Sequence, residues 1–374
     1  MKIAHVVCVF PPYRGGIGKS ALDFSEMMIT DGHDITIFTP LYKKIEEEDL
    51  DIGIKIKRIK PVFKLGNGAF IPSLLWSLSS FDLVYLHYPF FGGSEILWLF
   101  KLLNKKTKLI VHYHMDILGL SPFARLLSIP SRLIEKSLLK KADLITAASL
   151  DYVENSDIAY FYKDNKEKFR QTYFGVDTEK FHPLDQKEKQ VIKKILFVGG
   201  LDKAHYFKGL SVLIDSLSKI KDRDDWVLEI VGKGDLQQKF IEDCIEKGIE
   251  EKVKFLGSVS NEELPRVYRE ASFFVLPSVN KGEAFGIVLL EAMASGLPLI
   301  ASNLAGVRSV FVEGEQGLRV KPGDVDDLLE KVKVFLDNDD LLFKMAQKSR
   351  QIALEKYQNK KITDRFNNII KELS

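Results

Sequence analysis

The chain has 374 residues, of which 45% are hydrophobic and 28% are charged. This length exceeds what a single hydrophobic core ordinarily supports, so we expect at least two domains in a folded, soluble protein. The formal net charge of +2 argues against a dedicated nucleic-acid-binding protein, and no apolar segment is long enough to span a membrane.

The two cysteines, Cys8 and Cys244, lie far apart in the chain and lack the spacing of metal ligands. Cysteines inside apolar or helical segments are usually reduced, structural thiols. We therefore expect a cytoplasmic protein.

Over the first half of the chain, short β-branched segments alternate with segments of helical periodicity, a pattern typical of strand–helix–strand units around a parallel sheet. The predicted strands are Lys2–Val9, Asp34–Thr39, Asp82–His87, Lys108–His112 and Asp143–Ala147. The predicted helices include Gly16–Thr30, Ser94–Leu103 and Pro122–Lys140.

The first predicted strand leads into a glycine-rich turn that ends in Gly-Lys-Ser. A phosphate-binding P-loop would need a glycine where Tyr13 stands, and the spacing of Gly15, Gly16 and Gly18 does not match the dinucleotide fingerprint. What remains is a turn and a helix start that can approach a ligand with bare backbone. The alternative is a tight turn that binds nothing.

A polar, charged segment around Pro183 interrupts the alternation and indicates a linker. Further strands are predicted at the ILFVGG segment that begins at position 195, and at Trp226–Val231, Val253–Leu256, Ser272–Leu276 and Pro298–Ala301. The predicted fold is α/β, with two doubly wound Rossmann-like domains at 1–182 and 183–355 that face each other across a cleft. Residues 356–374 form a final helix that either crosses back to the first domain or covers the second. In such sheets, ligands bind beyond the carboxyl ends of the strands.

The segment with the strongest chemical signal is GEAFGIVLLEAMASGLPLIAS, in which seven residues separate Glu283 from Glu291. Between them, Phe285-Gly286-Ile287 opens a helix whose free N–H groups and positive dipole end suit a diphosphate. Glu291 can then meet the paired hydroxyls of a ribose, and Glu283 a sugar. The alternative is that both are ordinary solvated acids.

This segment resembles the donor-site signature of the retaining glycosyltransferases of family 4, which have the two-domain GT-B fold. The resemblance continues through both domains, in FPPYRGGIGKS, VHYHMD, FGVDTEKFHP and ILFVGGLDKAHYFKG. It implies that Gly15 and Gly16 line the interdomain cleft near the donor diphosphate and the acceptor. His114 matches the family histidine near the transferred sugar, and Lys208 matches the lysine that neutralises the departing diphosphate.

One position departs from the family pattern. The usual partner of the lysine is an arginine two residues before Asp202, where this chain has Gly200. We expect Lys203 or His205 in the same loop to replace the missing cation, unless either is simply solvated.

The resemblance also implies a reaction and its partners. The donor is a nucleotide-sugar, with UDP- or GDP-sugars favoured, and its base is expected beside Gly232 and Gly257. No cofactor and no metal ion is expected, since no Asp-x-Asp pair directly follows a predicted strand. The acceptor is a hydroxyl group of a glycan or a lipid-linked molecule, and nucleic acid is not a partner.

Two other functions stay open. The first is a phosphorylase or epimerase on the same scaffold, because a fold alone does not set a reaction. The second is a non-catalytic nucleotide-sugar-binding protein, for which the missing arginine is the best argument.

Residues 101–143 contain nine lysines or arginines against three acids. Within this stretch, Phe123, Leu126, Leu127, Leu133 and Ile134 alternate with Arg125, Arg132, Lys136 and Lys140. A basic amphipathic segment of this kind can bind an anionic membrane surface. The alternative is a helix that buries its apolar face on the sheet and exposes its cations to water.

Overall fold

The computed structural model describes residues 1–13, 15–42, 53–117, 125–126, 128–184 and 191–373. The chain divides into two compact units, unit 1 with Met1–Phe174 and Ile362–Ser374, and unit 2 with Gly175–Lys361. These boundaries differ from 182 and 355, because the segment after Phe174 belongs with unit 2 and the final residues are grouped with unit 1. Part of the predicted linker, 185–190, lies outside the described residues.

Unit 1 is built on a parallel sheet. Its strands are β1 (Lys2–Val6), β2 (Asp34–Pro40), β3 (Lys55–Ile59), β4 (Phe63–Leu65), β5 (Gly68–Phe70), β6 (Leu83–Tyr88), β7 (Lys108–Tyr113), β8 (Leu144–Ala147) and β9 (Phe169–Gln171). Seven of them form the sheet in the order β3-β2-β1-β6-β7-β8-β9, whereas β4 and β5 form a separate antiparallel hairpin. The central strands are buried along most of their length, which explains their nearly continuous apolar sequences.

The helices of unit 1 lie between these strands in the chain. They are α1 (Gly16–Thr30), α2 (Leu74–Ser77), α3 (Gly93–Leu103), α4 (Ile129–Lys141), α5 (Leu150–Glu154) and α6 (Ala159–Asp164). The helix predicted from Pro122 is thus described from Ile129 onward, and residues 122–124 lie outside the described part of the chain.

Unit 2 repeats the plan with a six-stranded parallel sheet. Its strands are β10 (Lys193–Val198), β11 (Trp226–Val231), β12 (Val253–Gly257), β13 (Phe273–Leu276), β14 (Leu299–Ser302) and β15 (Gly317–Val320). The sheet order is β12-β11-β10-β13-β14-β15. Its helices are α7 (Leu210–Ser218), α8 (Gln237–Lys247), α9 (Leu264–Glu270), α10 (Ile287–Ala294), α11 (Val325–Asp337) and α12 (Asp339–Ile352).

The last helix, α13 (Asn359–Lys371), follows a π-helical turn at Ala353–Tyr357. Its buried Phe366 packs on Phe24 and Tyr85 of unit 1, with ring centroids 5.5 Å apart in both pairs. These contacts anchor the end of the chain in unit 1. None of the described helices combines the length and the apolar character that crossing a bilayer requires.

In each sheet, successive strands are added first on one side of a central strand and then on the other side. In unit 1 the reversal is at β1, which pairs with both β2 and β6, and in unit 2 it is at β10, which pairs with β11 and β13. The loops that leave the carboxyl ends of these strands diverge and form a crevice, which is where doubly wound sheets bind ligands. The fold therefore singles out the loops after β10 and β13 in unit 2, and those after β1 and β6 in unit 1.

Candidate functional site

The loops after β10 and β13 bring together a cation and a carboxylate. Lys208 ends a 3-10 helical turn, Lys203–Lys208, and its Nζ donates to Oε2 of Glu283 across 2.8 Å. Glu283 is only 8% exposed, so its interpretation as a solvated loop acid is wrong. This largely buried ion pair holds a positive charge at the strand ends, where an anion can pair with it.

Two successive glycines after β10 make room for the side chains of this loop. A Cβ at Gly199 would lie 2.5 Å from Cδ of Lys208, and a Cβ at Gly200 would lie 2.7 Å from Nδ1 of His205. Both distances are too short for a side chain, so larger residues here would push the lysine and the histidine away. Gly200, which replaces the arginine of the resembling family, therefore belongs to an arrangement in which His205 takes the adjacent space.

His205 is held in place by Asp202. Its Nδ1 lies 2.9 Å from both carboxylate oxygens of Asp202, and Oδ1 of Asp202 also accepts hydrogen bonds from the backbone N–H groups of Ala204 and His205. Burial raises the pKa of Asp202, but its hydrogen bonds from His205 and from the backbone outweigh this and leave the pKa below its ordinary value. An ionised Asp202 thus orients the imidazole of His205 through these hydrogen bonds.

Lys203 has a different environment from His205. Its backbone N–H donates to Asp235, while its side chain is exposed and has no hydrogen-bond or ion-pair partner within the described residues. Of the two candidates for the missing cation, only His205 is in contact with the Gly200 backbone position.

The helix that follows Glu283 begins at the predicted place. Gly286 is the N-cap of α10, with a φ of 84°, and no side chain caps the helix start. The first N–H groups of α10 therefore remain available to a ligand, and the helix dipole favours an anion there. Phe285 is buried and Ile287 is half-buried, so they fix the turn from within the domain.

Glu291, the fifth residue of α10, is half-buried. It accepts a hydrogen bond from the hydroxyl group of Tyr268 at 2.8 Å. Tyr268 is fully buried, and burial followed by the charge of Glu291 raises its pKa well above the ordinary value. Tyr268 thus stays protonated and positions one oxygen of the carboxylate. No sequence pattern indicates this pairing, because α9 and α10 belong to different strand–helix units.

Backbone hydrogen bonds from glycines join the neighbouring strand ends. The N–H of Gly199 donates to Val231, and the N–H of Gly232 donates to Gly257. At Gly232 a Cβ would lie 1.8 Å from the carbonyl oxygen of Gly199, which only glycine allows. Gly232, which follows β11, and Gly257, which ends β12, therefore present bare backbone at adjacent strand ends, and Gly232 lies against Gly199.

In unit 1, His114 directly follows β7 and is bonded to a second histidine. Its Nε2 lies 2.9 Å from Nδ1 of His87, and its backbone N–H donates to Tyr88. Burial lowers the pKa of His114 to about 3, so the imidazole is neutral near pH 7. A neutral imidazole offers one donor and one acceptor nitrogen.

The turn after β1 places its glycines in two different environments. Gly15 is the N-cap of α1, Gly16 is its first residue, and both are exposed. A Cβ at Gly16 would meet nothing within 4 Å, whereas one at Gly18 would lie 2.8 Å from the carbonyl oxygen of Val9. Packing therefore accounts for Gly18 but not for Gly16, which leaves open backbone at the helix start.

Unit 1 also contains an apolar cavity of about 880 Å³ near the same strand ends. Its lining includes Ile17, Phe63, Leu65, Phe70, Phe91, Met115 and Ile117. The hairpin β4–β5 supplies part of this lining and also exposes large apolar side chains to solvent, with Phe63 53% and Val62 75% exposed. Contiguous exposed apolar surface of this kind commonly marks a binding site.

The first turns of α4 leave apolar residues of the basic segment exposed to solvent. Leu133 is 77% exposed and Ile129 is 45% exposed, next to the exposed cations Arg132 and Lys136. The buried residues of α4 are instead Ser131, Leu138 and Leu139. Of the residues cited from sequence, Phe123 and Leu127 lie outside the described part of the chain, and Arg125 and Leu126 are exposed.

Two family models match the chain in succession. Residues 14–180 match Glycosyltransferase Family 4, and residues 178–352 match Glycosyl transferases group 1. Together with the two doubly wound sheets, these matches settle the family. The chain belongs to the GT-B glycosyltransferase superfamily.

Relatives and solved structures agree with this assignment. An uncharacterised glycosyltransferase of Methanocaldococcus jannaschii is 26% identical over 96% of this chain and 94% of its own length. Sucrose-phosphate synthase of Thermosynechococcus elongatus has the same fold, with a TM-score of 0.80, 18% identity and coverage of 100% of this chain and 98% of that one. Anabaena HepE, solved in complex with UDP-glucose, has a TM-score of 0.75, 18% identity and coverage of 100% of both chains. These findings do not favour a binding protein, a phosphorylase or an epimerase.

The buried histidines of this glycosyltransferase predict a pH dependence of its stability. Burial lowers the pKa of His5 to about 3, from 6.5 in an unperturbed side chain. Below pH 6.5 the unfolded chain takes up a proton at His5 that the folded chain does not accept until about pH 3, so stability falls across this range. His5 alone should cost about 2 kcal/mol between pH 7 and pH 5.

Urea unfolding at these two pH values measures the loss, with His5→Gln expected to reduce it. Met27→Leu, a conservative change at a buried residue that does not titrate, is the control and should keep the wild-type difference. Equal stability of the wild type at pH 7 and pH 5 would contradict the prediction.

Proposed function

We propose that the protein transfers a sugar from a nucleoside diphosphate sugar, with UDP- or GDP-sugars favoured, to a hydroxyl group of a glycan or lipid-linked acceptor, with retention of configuration and without a metal ion. The observation that carries this proposal is the Lys208–Glu283 pair beside the uncapped start of α10. A cation and free N–H donors converge there at the switch point of the unit 2 sheet. The complex of the similarly folded HepE with UDP-glucose supports the choice of donor.

In the proposed reaction, the bond between the anomeric carbon and the diphosphate oxygen breaks, and negative charge develops on the departing diphosphate. Lys208 and the N–H groups at the start of α10 are in position before the reaction begins, and they stabilise this charge as it develops. Preorganised donors of this kind usually make the largest electrostatic contribution to catalysis. The acceptor oxygen attacks the same face of the sugar, and its proton leaves with the diphosphate. Glu283 is freed for the sugar when the diphosphate takes its place beside Lys208.

His205 is proposed as the second cation of the diphosphate site. It lies on the side of the Gly200 backbone from which an arginine side chain would project, and Asp202 orients its imidazole. Gly15 and Gly16 of unit 1 are proposed to contact the donor with bare backbone, His114 to contact the transferred sugar, and Gly232 and Gly257 to contact the base.

The acceptor is proposed to have a lipid portion. The apolar cavity of unit 1 is large enough for a hydrocarbon chain, and the hairpin that lines it exposes further apolar side chains. The exposed leucines and cations of α4 offer a second contact with an anionic membrane surface. The protein is thus proposed to act in the cytoplasm at the inner face of the membrane, in polysaccharide or glycoconjugate synthesis.

A panel of UDP-, GDP- and ADP-sugars, read by protection against thermal unfolding and by release of nucleoside diphosphate, tests the function. With the donor that the panel selects, Lys208→Ala should lower turnover roughly 100-fold or more, the scale expected when one preorganised donor is removed. His205→Asn should also lower turnover, whereas Lys203→Ala, in the same loop, should change it little. Equal losses in the Lys203 and His205 variants, or none in Lys208→Ala, would contradict the assignment.

A second prediction concerns the ribose contact. Glu291→Ala should weaken nucleotide binding by about 1.5–3 kcal/mol, the range for hydrogen bonds to a charged group. Because the truncation also removes the partner of the Tyr268 hydroxyl group, Tyr268→Phe is the control and should bind the nucleotide much more tightly than Glu291→Ala. Isothermal titration measures both, and unchanged affinity in Glu291→Ala would refute the role.

A third prediction concerns the membrane. The protein should co-sediment with vesicles containing phosphatidylglycerol at low salt and be released at high salt, since each surface cation contributes about 1 kcal/mol. Arg125, Arg132 and Lys136 changed together to Glu should abolish binding. The matched control changes three exposed lysines of unit 2, Lys333, Lys344 and Lys348, to Glu and should retain binding. Equal pelleting with neutral and anionic vesicles, or no pelleting at low salt, would contradict the proposal.

A further inference from the structure

Three histidines of unit 1 form a continuous hydrogen-bonded row that ends at His114. Nδ1 of His5 lies 3.0 Å from Nε2 of His87, and Nδ1 of His87 lies 2.9 Å from Nε2 of His114. The three side chains come from β1, β6 and the residue after β7, which are neighbours in the sheet. His5 and His87 are fully buried.

The far end of the row is closed by a methionine. Nε2 of His5 lies 3.2 Å from Sδ of Met28, a buried residue of α1. A thioether sulfur has no proton and can only accept a hydrogen bond, so the proton of His5 belongs on Nε2. This contact decides which nitrogen donates and which accepts in each hydrogen bond of the row. The nitrogen–nitrogen distances alone do not decide it.

The proton position on one ring decides the proton position on the next, because each ring is neutral. Burial lowers the pKa of His5 and His114 to about 3, and burial, followed by the nearby histidines, lowers the pKa of His87 well below its ordinary value. A neutral imidazole carries one proton. With its proton on Nε2, His5 accepts at Nδ1 from Nε2–H of His87, and His87 accepts at Nδ1 from Nε2–H of His114.

We infer that Met28, through His5 and His87, fixes the tautomer of His114, so that its Nδ1 is an unprotonated hydrogen-bond acceptor. Met28, His5 and His87 are positioning residues, and His114 is the group they position. Within the described residues, Nδ1 of His114 has no hydrogen-bond partner. It is therefore ready to accept a bond from a ligand hydroxyl group, which, on the proposed function, belongs to the transferred sugar.

Aromatic rings pack against both ends of the row and restrict the orientation of its imidazoles. Tyr85 stacks on His5 with ring centroids 5.0 Å apart, and Phe174 stacks on His114 at 6.3 Å. His112 packs edge-on against His114 at 4.3 Å but directs its own Nδ1 to Thr146 at 2.8 Å, so it stays outside the row. The row also cannot conduct protons beyond His5, since Met28 has none to give and none to take. Its role is to orient His114.

The test is nuclear magnetic resonance of the full chain with ¹⁵N-labelled histidine, without ligand and at pH 7.5. Imidazole nitrogens with and without a proton resonate far apart, and single His→Gln variants assign the signals. We expect protons on Nε2 of His5, His87 and His114, with scalar coupling between the nitrogens across both N–H···N bonds. A proton on Nδ1 of His87 or of His114 would overturn the inference.

Met28→Leu removes the acceptor while conserving volume. The ratio of the two tautomers at His114 should shift by roughly three- to tenfold, the ratio that one neutral hydrogen bond is worth. Met27→Leu, at the adjacent buried methionine, should leave the ratio unchanged. An unchanged ratio in Met28→Leu would overturn the role of Met28, and if this variant does not fold, the wild-type spectrum still decides the tautomers.

A final experiment adds ligand to the labelled protein and tests whether His114 contacts the sugar. The nucleoside diphosphate sugar selected by the thermal panel should shift the Nδ1 signal of His114, whereas the corresponding nucleoside diphosphate without sugar should not. Shifts with both ligands, or with neither when both bind, would overturn the sugar contact. If no nucleotide-sugar binds, the proposed function fails, while the ligand-free spectra still test the tautomers.

Discussion

The ion pair between Lys208 and Glu283 is the interaction on which the account of the donor site depends. Both side chains are largely buried, so each charge stabilises the other. In the proposed donor site, a diphosphate would replace Glu283 as the partner of Lys208, and the carboxylate would then be available to the sugar. The proposal therefore requires that the ion pair can open.

The parallel sheets explain why these residues meet. Lys208 and Glu283 are far apart in the chain, but their loops leave adjacent strands, β10 and β13, at the switch point of unit 2. Glycines at the strand ends then set how close the loops can come. Gly199 and Gly200 leave space for Lys208 and His205, which a sequence with an arginine at position 200 would fill differently. In unit 1 the same topology brings His5, His87 and His114 from three neighbouring strands into one row.

The sequence predicted the fold class and the strands of both sheet centres, because strands buried on both faces have continuous apolar sequences. The sequence also predicted α1, α3, most of α4, the start of α10 and the final helix. It missed β3, β9 and β15, which are edge strands with short or charged sequences such as KIKRI. Motif order was enough to single out Lys208, Glu283 and Gly286. It could not reveal the Tyr268–Glu291 bond or the histidine row, since each joins side chains from separate elements. Nor could it choose between Lys203 and His205, because that choice depends on how their shared loop folds. The histidines inside apolar strands were the available signal for the row.

The most direct test of the donor site is the affinity of Glu283→Gln for the nucleoside diphosphate of the selected donor, measured by isothermal titration together with transfer activity. If the diphosphate replaces Glu283 at Lys208, removing the negative charge frees the cation, so the variant should bind the nucleoside diphosphate at least as tightly as the wild type while losing transfer. Weaker binding than the wild type, by as much as in Lys208→Ala, would show that Glu283 and Lys208 bind the diphosphate as a fixed unit and would contradict the account.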